Sequence, residues 1–290
     1  MIVPGSSSQA LAAALAVEID RPLATATYDR FPDGERLVSV PALVEAAPDS
    51  VLIVASTVSP ADHIELLLLQ DACRVAGVDD ITTVIPYLGY ARQDKAFEPG
   101  QPISIRAIAR AIATGTDRVI TVTPHEPDVC DHFTVPASAV DGADRLAVPL
   151  PTDLHRPVFL APDGGATDIA QRVCDAVASD DATVDHFEKT RTSSTTVEIA
   201  PRDVDVTNRD VIIVDDIIAT GTTMSEAIGV LRTRSPRRIM VSCVHPLFVG
   251  NARTKLAAAG VDRLIATDTI ESVTTAVSVA PTIADALEDG

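Results

Sequence analysis

Val211-Ile-Ile-Val-Asp-Asp-Ile-Ile-Ala-Thr-Gly-Thr-Thr-Met224 reads as a buried strand, two acids, a short Thr/Gly loop and the start of a helix. In open α/β sheets ligands bind beyond the carboxyl ends of the strands. A loop at a helix start offers unpaired N–H groups and the positive end of the helix dipole, which suits a phosphate. Gly221 lets the backbone approach closely, and Thr220, Thr222 and Thr223 add hydroxyl donors. Asp215 and Asp216 repel a phosphate but can accept hydrogen bonds from sugar hydroxyls. Together the segment can hold a phosphorylated sugar. An ordinary Asp turn with a Thr cap would read the same way, and spacing alone leaves both open.

Outward from this stretch, short apolar β-branched runs alternate with Ala/Leu-rich helical stretches. Residues 51–54, 81–85, 119–122, 158–160, 211–214 and 239–244 read as strands. Residues 62–76, 103–114, 167–178 and 224–234 read as helices. Such a β-α-β rhythm predicts an α/β fold of mainly parallel sheets with helices on both faces. The halves also resemble each other. An ungapped shift of about 160 residues lays 51–54 on 211–214, Ile81 on Val241 and Pro86 on Pro246. Two tandem copies are expected, residues 1–143 and 144–290, the end of the chain packing back on the first. Where the second copy has Asp215 and Asp216, the first has Ala55 and Ser56, so the polar site belongs to the second.

Composition narrows the options. With 41 acidic against 23 basic residues the net charge is −18, which disfavours binding to nucleic-acid backbones. No apolar run approaches the ~18 residues of a membrane span, and no secretory signal is visible. Cys73, Cys130, Cys174 and Cys243 are far apart and form no C-x-x-C pair. A zinc site or disulfide framework is not expected, and a reduced cytoplasm fits. Of the basic residues only Lys95, Lys189 and Lys255 are lysines. Scarce lysine with abundant acid predicts a protein of a salt-loving archaeon, its surface repulsion screened by strong salt.

Four further segments carry chemistry. Phe31-Pro-Asp-Gly-Glu35 reads on its own as a turn joining two strands. Ile85-Pro-Tyr-Leu-Gly-Tyr-Ala-Arg-Gln-Asp-Lys95 follows a strand end and sets Arg92 and Lys95 beside Gln93 and Asp94. Thr123-Pro-His125 and Ala161-Pro-Asp-Gly-Gly165 each follow a strand. Asp163 has the oxygen chemistry that magnesium prefers; Asp128 and Asp131 are rivals, and His125 with His132 could instead suit a softer metal. Lys189-Thr-Arg191 opens a Ser/Thr-rich stretch suited to a lid, its two cations pointing the same way on an extended chain.

In their order along residues 31–246, these motifs resemble those of the ribose-phosphate pyrophosphokinases, particularly the archaeal kind. The strand and Thr/Gly loop resemble the phosphoribosyl signature of the type I phosphoribosyltransferase fold, and residues 85–95 resemble the family's hallmark. The resemblance implies two tandem domains of that fold, only the second with a sugar-phosphate loop. It implies ATP and ribose 5-phosphate as substrates, with pyrophosphoryl transfer between them. ATP would be held by Phe31, Asp33, Gly34 and Glu35 at the adenine and by Arg92, Gln93, Asp94 and Lys95 at the phosphates. Ribose 5-phosphate would be held by Asp215, Asp216, Ala219, Thr220, Gly221, Thr222, Thr223 and Arg191. The implied magnesium ligands are His125 and Asp163, and the implied catalytic pair is Lys189 and Arg191. An adenine segment supplied by a neighbouring subunit implies a homo-oligomer. The chain departs from bacterial-type members, which have Asp where Ala219 stands, Asp-Leu-His in place of Thr123-Pro-His125 and Lys-Arg-Arg in place of Lys-Thr-Arg. No carboxylate at 219 is therefore present to act as a general base.

Overall fold

The computed structural model describes residues 1–191, 197–201 and 204–288. The chain divides into two compact units. The first takes Met1–Asp141, Asp268–Glu271 and the chain from Ser278 onward; the second takes Gly142–Thr267 and Ser272–Val277.

In the first unit, β1 (Ile2–Pro4), α1 (Gln9–Glu18), β2 (Thr27–Arg30), β3 (Arg36–Ser39), α2 (Pro41–Ala46), β4 (Ser50–Val54), α3 (Pro60–Val75), β5 (Asp80–Ile85), α4 (Ser104–Ala113), β6 (Arg118–Val122) and β7 (Ala137–Val140) follow in order. β1-β4-β5-β6-β7 form one sheet, every pairing parallel. Val51, Leu52, Ile53 and Val54 are all buried, so both faces of β4 are covered. Val51 and Ile53 pack with Leu66, Leu69, Ile105 and Ile112 of α3 and α4. Helix α3 starts with a full capping box, Ser59 and Asp62 each accepting a backbone N–H of the other. β2 and β3 form a separate antiparallel hairpin. Arg36 pairs with the buried Glu65 of α3 at 3.2 Å, which ties the hairpin to that helix.

In the second unit, β8 (Val158–Ala161), α5 (Thr167–Val177), β9 (Thr183–Arg191), β10 (Val197–Pro201), β11 (Asp210–Ile217), α6 (Thr222–Arg232), β12 (Arg238–His245), α7 (Ala252–Ala259), β13 (Arg263–Thr267) and β14 (Thr275–Val277) follow. The sheet order is β10-β9-β8-β11-β12-β13-β14, parallel except for the β9–β10 hairpin. Met224, Ile228 and Leu231 of α6 and Leu256 of α7 pack on Val211, Ile213, Ile239 and Val241. The remaining helix, α8 (Ala280–Glu288), lies against α1 of the first unit and buries Ala280, Ile283 and Ala284.

The order β8-β11-β12-β13-β14 repeats β1-β4-β5-β6-β7, each copy carrying a hairpin between its first helix and its second sheet strand. The expected ungapped shift needs one correction. Val51 pairs with Ile81, but Val211 pairs with Ile239, so Ile81 corresponds to Ile239 rather than Val241. The two-residue offset is even, so side chains keep their faces.

Candidate active site

β11 does not stop with its apolar run at Val214. Asp215 pairs with Cys243 and Ile217 with His245 of β12, so both acids lie on the strand itself, at its carboxyl end. Asp215 accepts the N–H of Asp216 at 3.0 Å, and Asp216 accepts that of Ile217 at 2.7 Å. Burial pushes the Asp215 carboxyl well above its usual pKa, and the charge of Asp216, then of Asp163, adds to the effect. Asp163 follows β8, the parallel neighbour of β11, and its exposed carboxylate accepts the Gly165 N–H at 3.0 Å. The structure thus brings three of the expected site acids into one field.

The loop that follows is clamped from behind. Phe248 and Val249 donate to the carbonyls of Ile218 and Ala219, each at 2.9 Å. Gly221 is the cap of α6 with φ +68, a conformation that costs any other residue strain. A Cβ there would also meet the Ala252 carbonyl at 3.2 Å. Thr222 and Thr223 open the helix and are exposed. Their amides belong to the first turn, where backbone donors have no partner inside the helix. Lys255 of α7, which no motif singled out, donates to the Thr222 Oγ1 at 3.0 Å and approaches the Thr220 carbonyl at 3.5 Å. Its only sequence signal was membership of a set of three lysines.

Lys189 and Arg191 lie on β9 and pair with Ile199 and Val197 of β10. The extended chain expected at Lys189 and Arg191 is thus a strand paired in a hairpin. Their side chains, and residues 192–196, lie outside the described residues. Ala161, the last residue of β8, pairs with His186, so β9 runs on roughly 10–16 Å past that edge to positions 189 and 191.

In the first unit, Phe31, Asp33, Gly34 and Glu35 form the exposed tip of the β2–β3 hairpin. The tip is closed by Phe31 N–H to the Glu35 carbonyl at 2.9 Å and by Glu35 N–H to the Asp33 carboxylate at 3.1 Å. Residues 86–95 leave the carboxyl end of β5. Tyr87, Leu88 and Ala91 are buried and anchor the segment, while Arg92, Gln93 and Lys95 are exposed and Asp94 lies 4.0 Å from Lys95. A Cβ on Gly89 would lie 2.2 Å from the Thr57 carbonyl, so only glycine fits there. His125 is exposed in the loop after β6, the next strand of the sheet. Three non-glycine residues past the strand ends have positive φ: Tyr90, Thr123 and Phe248. Such strain gathers where a backbone is held for function.

Among the described residues no three His, Cys, Asp or Glu side chains are placed to hold a metal ion. The chemistry still fits magnesium, which keeps waters and takes much of its shell from substrate phosphates. Burial is the main cause that raises Asp215, and a divalent cation would offset the further part that comes from the charges of Asp216 and Asp163. His125 fits less well, because nitrogen is a poor magnesium ligand. All four cysteines are free, and no described helix is long and apolar enough to cross a membrane.

Residues 1–115 match the profile of the N-terminal domain of ribose phosphate pyrophosphokinase, and residues 138–281 that of the phosphoribosyl transferase domain. The chain is 56% identical over 287 residues to ribose-phosphate pyrophosphokinase of Halobacterium salinarum, covering 99% of this chain and 100% of that protein. It is 39% identical over 293 residues to that of Methanopyrus kandleri, covering 100% and 99%. Its fold superposes on the crystal structure of phosphoribosylpyrophosphate synthetase from Mycobacterium smegmatis with TM-score 0.82 and 25% identity, over 100% and 99% of the two chains. On full-length likeness, both domain profiles and the shared α/β fold, the chain belongs to the ribose-phosphate pyrophosphokinase family.

Proposed function

We propose that the chain makes 5-phosphoribosyl 1-pyrophosphate for nucleotide biosynthesis, by moving the β,γ-diphosphate of ATP to the 1-hydroxyl of ribose 5-phosphate. The hydroxyl oxygen attacks the β-phosphorus, the bond to the bridging α,β-oxygen breaks, the hydroxyl proton passes to solvent and AMP leaves with the bridging oxygen. Protein work in such a transfer is alignment and charge stabilisation. The observation that carries the reading is the Gly221-capped Thr/Gly loop directly after a strand ending in Asp215 and Asp216.

Residues 219–223 hold the 5-phosphate with amides and hydroxyls, while Asp215 and Asp216 orient the ribose hydroxyls. Phe31 stacks on adenine, Asp33 and Glu35 accept from its amino group, and Gly34 lets the hairpin turn. Arg92 and Lys95 face the triphosphate with Gln93 as a donor, and Asp94 steadies Lys95. Lys189 and Arg191 meet the charge that builds on the transferring group, Arg191 also reaching ribose 5-phosphate. Asp163 and His125 would hold magnesium in this reading, and the ion would supply charge neutralisation to the phosphates.

The duplicated domains, residues 1–143 and 144–290, fit a scheme in which the first lost its sugar site. A hairpin tip carrying an exposed Phe31 suits an adenine site completed by a neighbouring copy, hence a homo-oligomer. Free cysteines and the lack of a described membrane helix suit the cytoplasm.

The test is to mix protein, ATP, magnesium and ribose 5-phosphate and to follow AMP. Sugar-dependent AMP is the expected result. Exchange only in the presence of a purine or pyrimidine base would instead mark an ordinary phosphoribosyltransferase, and binding without turnover a regulatory relative.

A further inference from the structure

The segment read as the phosphate site carries no cation of its own. Residues 217–224 are Ile-Ile-Ala-Thr-Gly-Thr-Thr-Met, and the strand before them ends in two carboxylates. Asp163 adds to the same field. A sugar phosphate carries close to two negative charges at neutral pH. The amino end of α6 offers only about half a positive charge against it. Beside Arg191, read above as reaching the sugar phosphate from β9, a second cation stands at the loop itself, on α7. Lys255 donates to Thr222 Oγ1 at 3.0 Å and reaches the Thr220 carbonyl at 3.5 Å.

The same stretch of chain grips the loop elsewhere. Val249 and Phe248 donate to Ala219 and Ile218, and Ala252 lies against Gly221. Lys255 is one helical turn beyond Ala252 and adds charge where the other contacts add only shape. By donating to the Thr222 oxygen it takes up an acceptor position there and leaves the hydroxyl hydrogen available to donate to an anion. A charge-assisted bond of this kind is about twice as strong as a neutral one.

We infer that Lys255 is a positioning residue for ribose 5-phosphate, acting through Thr222 to orient the phosphate loop and to offset its acidic surroundings. The inference rests on the reading of residues 219–223 as the sugar-phosphate site.

The experiment is steady-state kinetics on the full-length protein with both substrates varied, comparing Lys255→Ala, Lys255→Met, Lys255→Arg, Gly221→Val and Arg253→Ala. Arg253 is an exposed cation on the same helix and controls for net charge. For Lys255→Ala we expect the KM for ribose 5-phosphate to rise roughly tenfold or more, with kcat and the KM for ATP within about twofold. Lys255→Arg should recover most of the loss, and Arg253→Ala should match the parent. Lys255→Met keeps the aliphatic stem and carries the test if the alanine variant does not fold. An unchanged KM for ribose 5-phosphate in both Lys255→Ala and Lys255→Met overturns the inference. So does a rise in both KM values together with a fall in Tm, which marks a purely structural role. Gly221→Val separates the two levels. If it leaves the KM for ribose 5-phosphate unchanged, the loop reading itself fails; if it raises that KM while the Lys255 variants do not, only the inference fails.

Discussion

Asp215 on β11 lies in register opposite Cys243 on β12, and after burial its charge is the next cause holding the Cys243 thiol well above its ordinary pKa. Asp215 is itself raised, first by burial and then by Asp216 and Asp163. A site that gathers carboxylates at a partly buried strand end stores unfavourable charge, and the fold carries that cost for its function.

Asp215→Asn should therefore make the protein more stable and less active. The folded pKa of Asp215 lies above its unfolded value of about 4. As pH rises across that window the unfolded chain gives up its proton before the folded one does, so ionisation lowers stability. The variant is expected to gain a few degrees in Tm at pH 7.5 and less at pH 4.5, while turnover falls at least ~10-fold. Thermal melts at the two pH values check the first part. A Tm gain equal at both would show that the charge of Asp215 is not the source.

Gly89→Ala should act on the segment proposed to hold the ATP phosphates. The added methyl lands 2.2 Å from the Thr57 carbonyl, and the Gly89 N–H is already held by the Thr57 hydroxyl at 2.9 Å. Overpacking against backbone costs about 1–3 kcal/mol. The KM for ATP should rise while that for ribose 5-phosphate stays within about twofold. Denaturant melts and two-substrate kinetics measure both.

Lys189→Ala should lower turnover about 10²–10³-fold, with either KM changed only a few-fold, because a cation facing developing charge acts mainly in the transition state. Turnover near that of the parent would remove Lys189 from the mechanism.

Salt should stabilise the whole chain. A net charge of −18 repels itself in dilute buffer, and molar KCl shortens the screening length to about 3 Å. Tm is expected to climb by several degrees between dilute buffer and molar KCl. The likeness to a Halobacterium salinarum protein accords with this expectation. A flat profile would mean that the acidic surface serves solubility alone.

Most of the architecture was legible where burial writes itself into composition. Strands such as β4, β5 and β12 are buried runs rich in β-branched residues, and they stand within one residue of their expected limits at each end. Elements with mixed faces were harder to read. β9, Thr-Val-Asp-His-Phe-Glu-Lys-Thr-Arg, carries charges that mask a strand, so residues 183–188 were not read as one, although Lys189 and Arg191 were placed on an extended chain. β11 outruns its apolar core because pairing with β12 continues through Asp215 to Ile217, and hydropathy does not report pairing. Helix α6 begins at Thr222, two residues before its first buried side chain, because Gly221 turns the chain there. In the candidate site, the Thr/Gly loop was legible as a contiguous motif. The contact of Lys255 with it was not, because that residue arrives from a helix some thirty residues further along.

The central claim is that residues 219–223 hold the 5-phosphate of the sugar. Its most direct test is calorimetric titration of ribose 5-phosphate and, separately, of magnesium-ATP into the full-length parent protein and the Thr222→Ala/Thr223→Ala double variant. The account predicts that the Kd for ribose 5-phosphate rises at least ~10-fold while that for magnesium-ATP stays within about twofold. An unchanged Kd for the sugar phosphate, or equal weakening of both ligands, would contradict it.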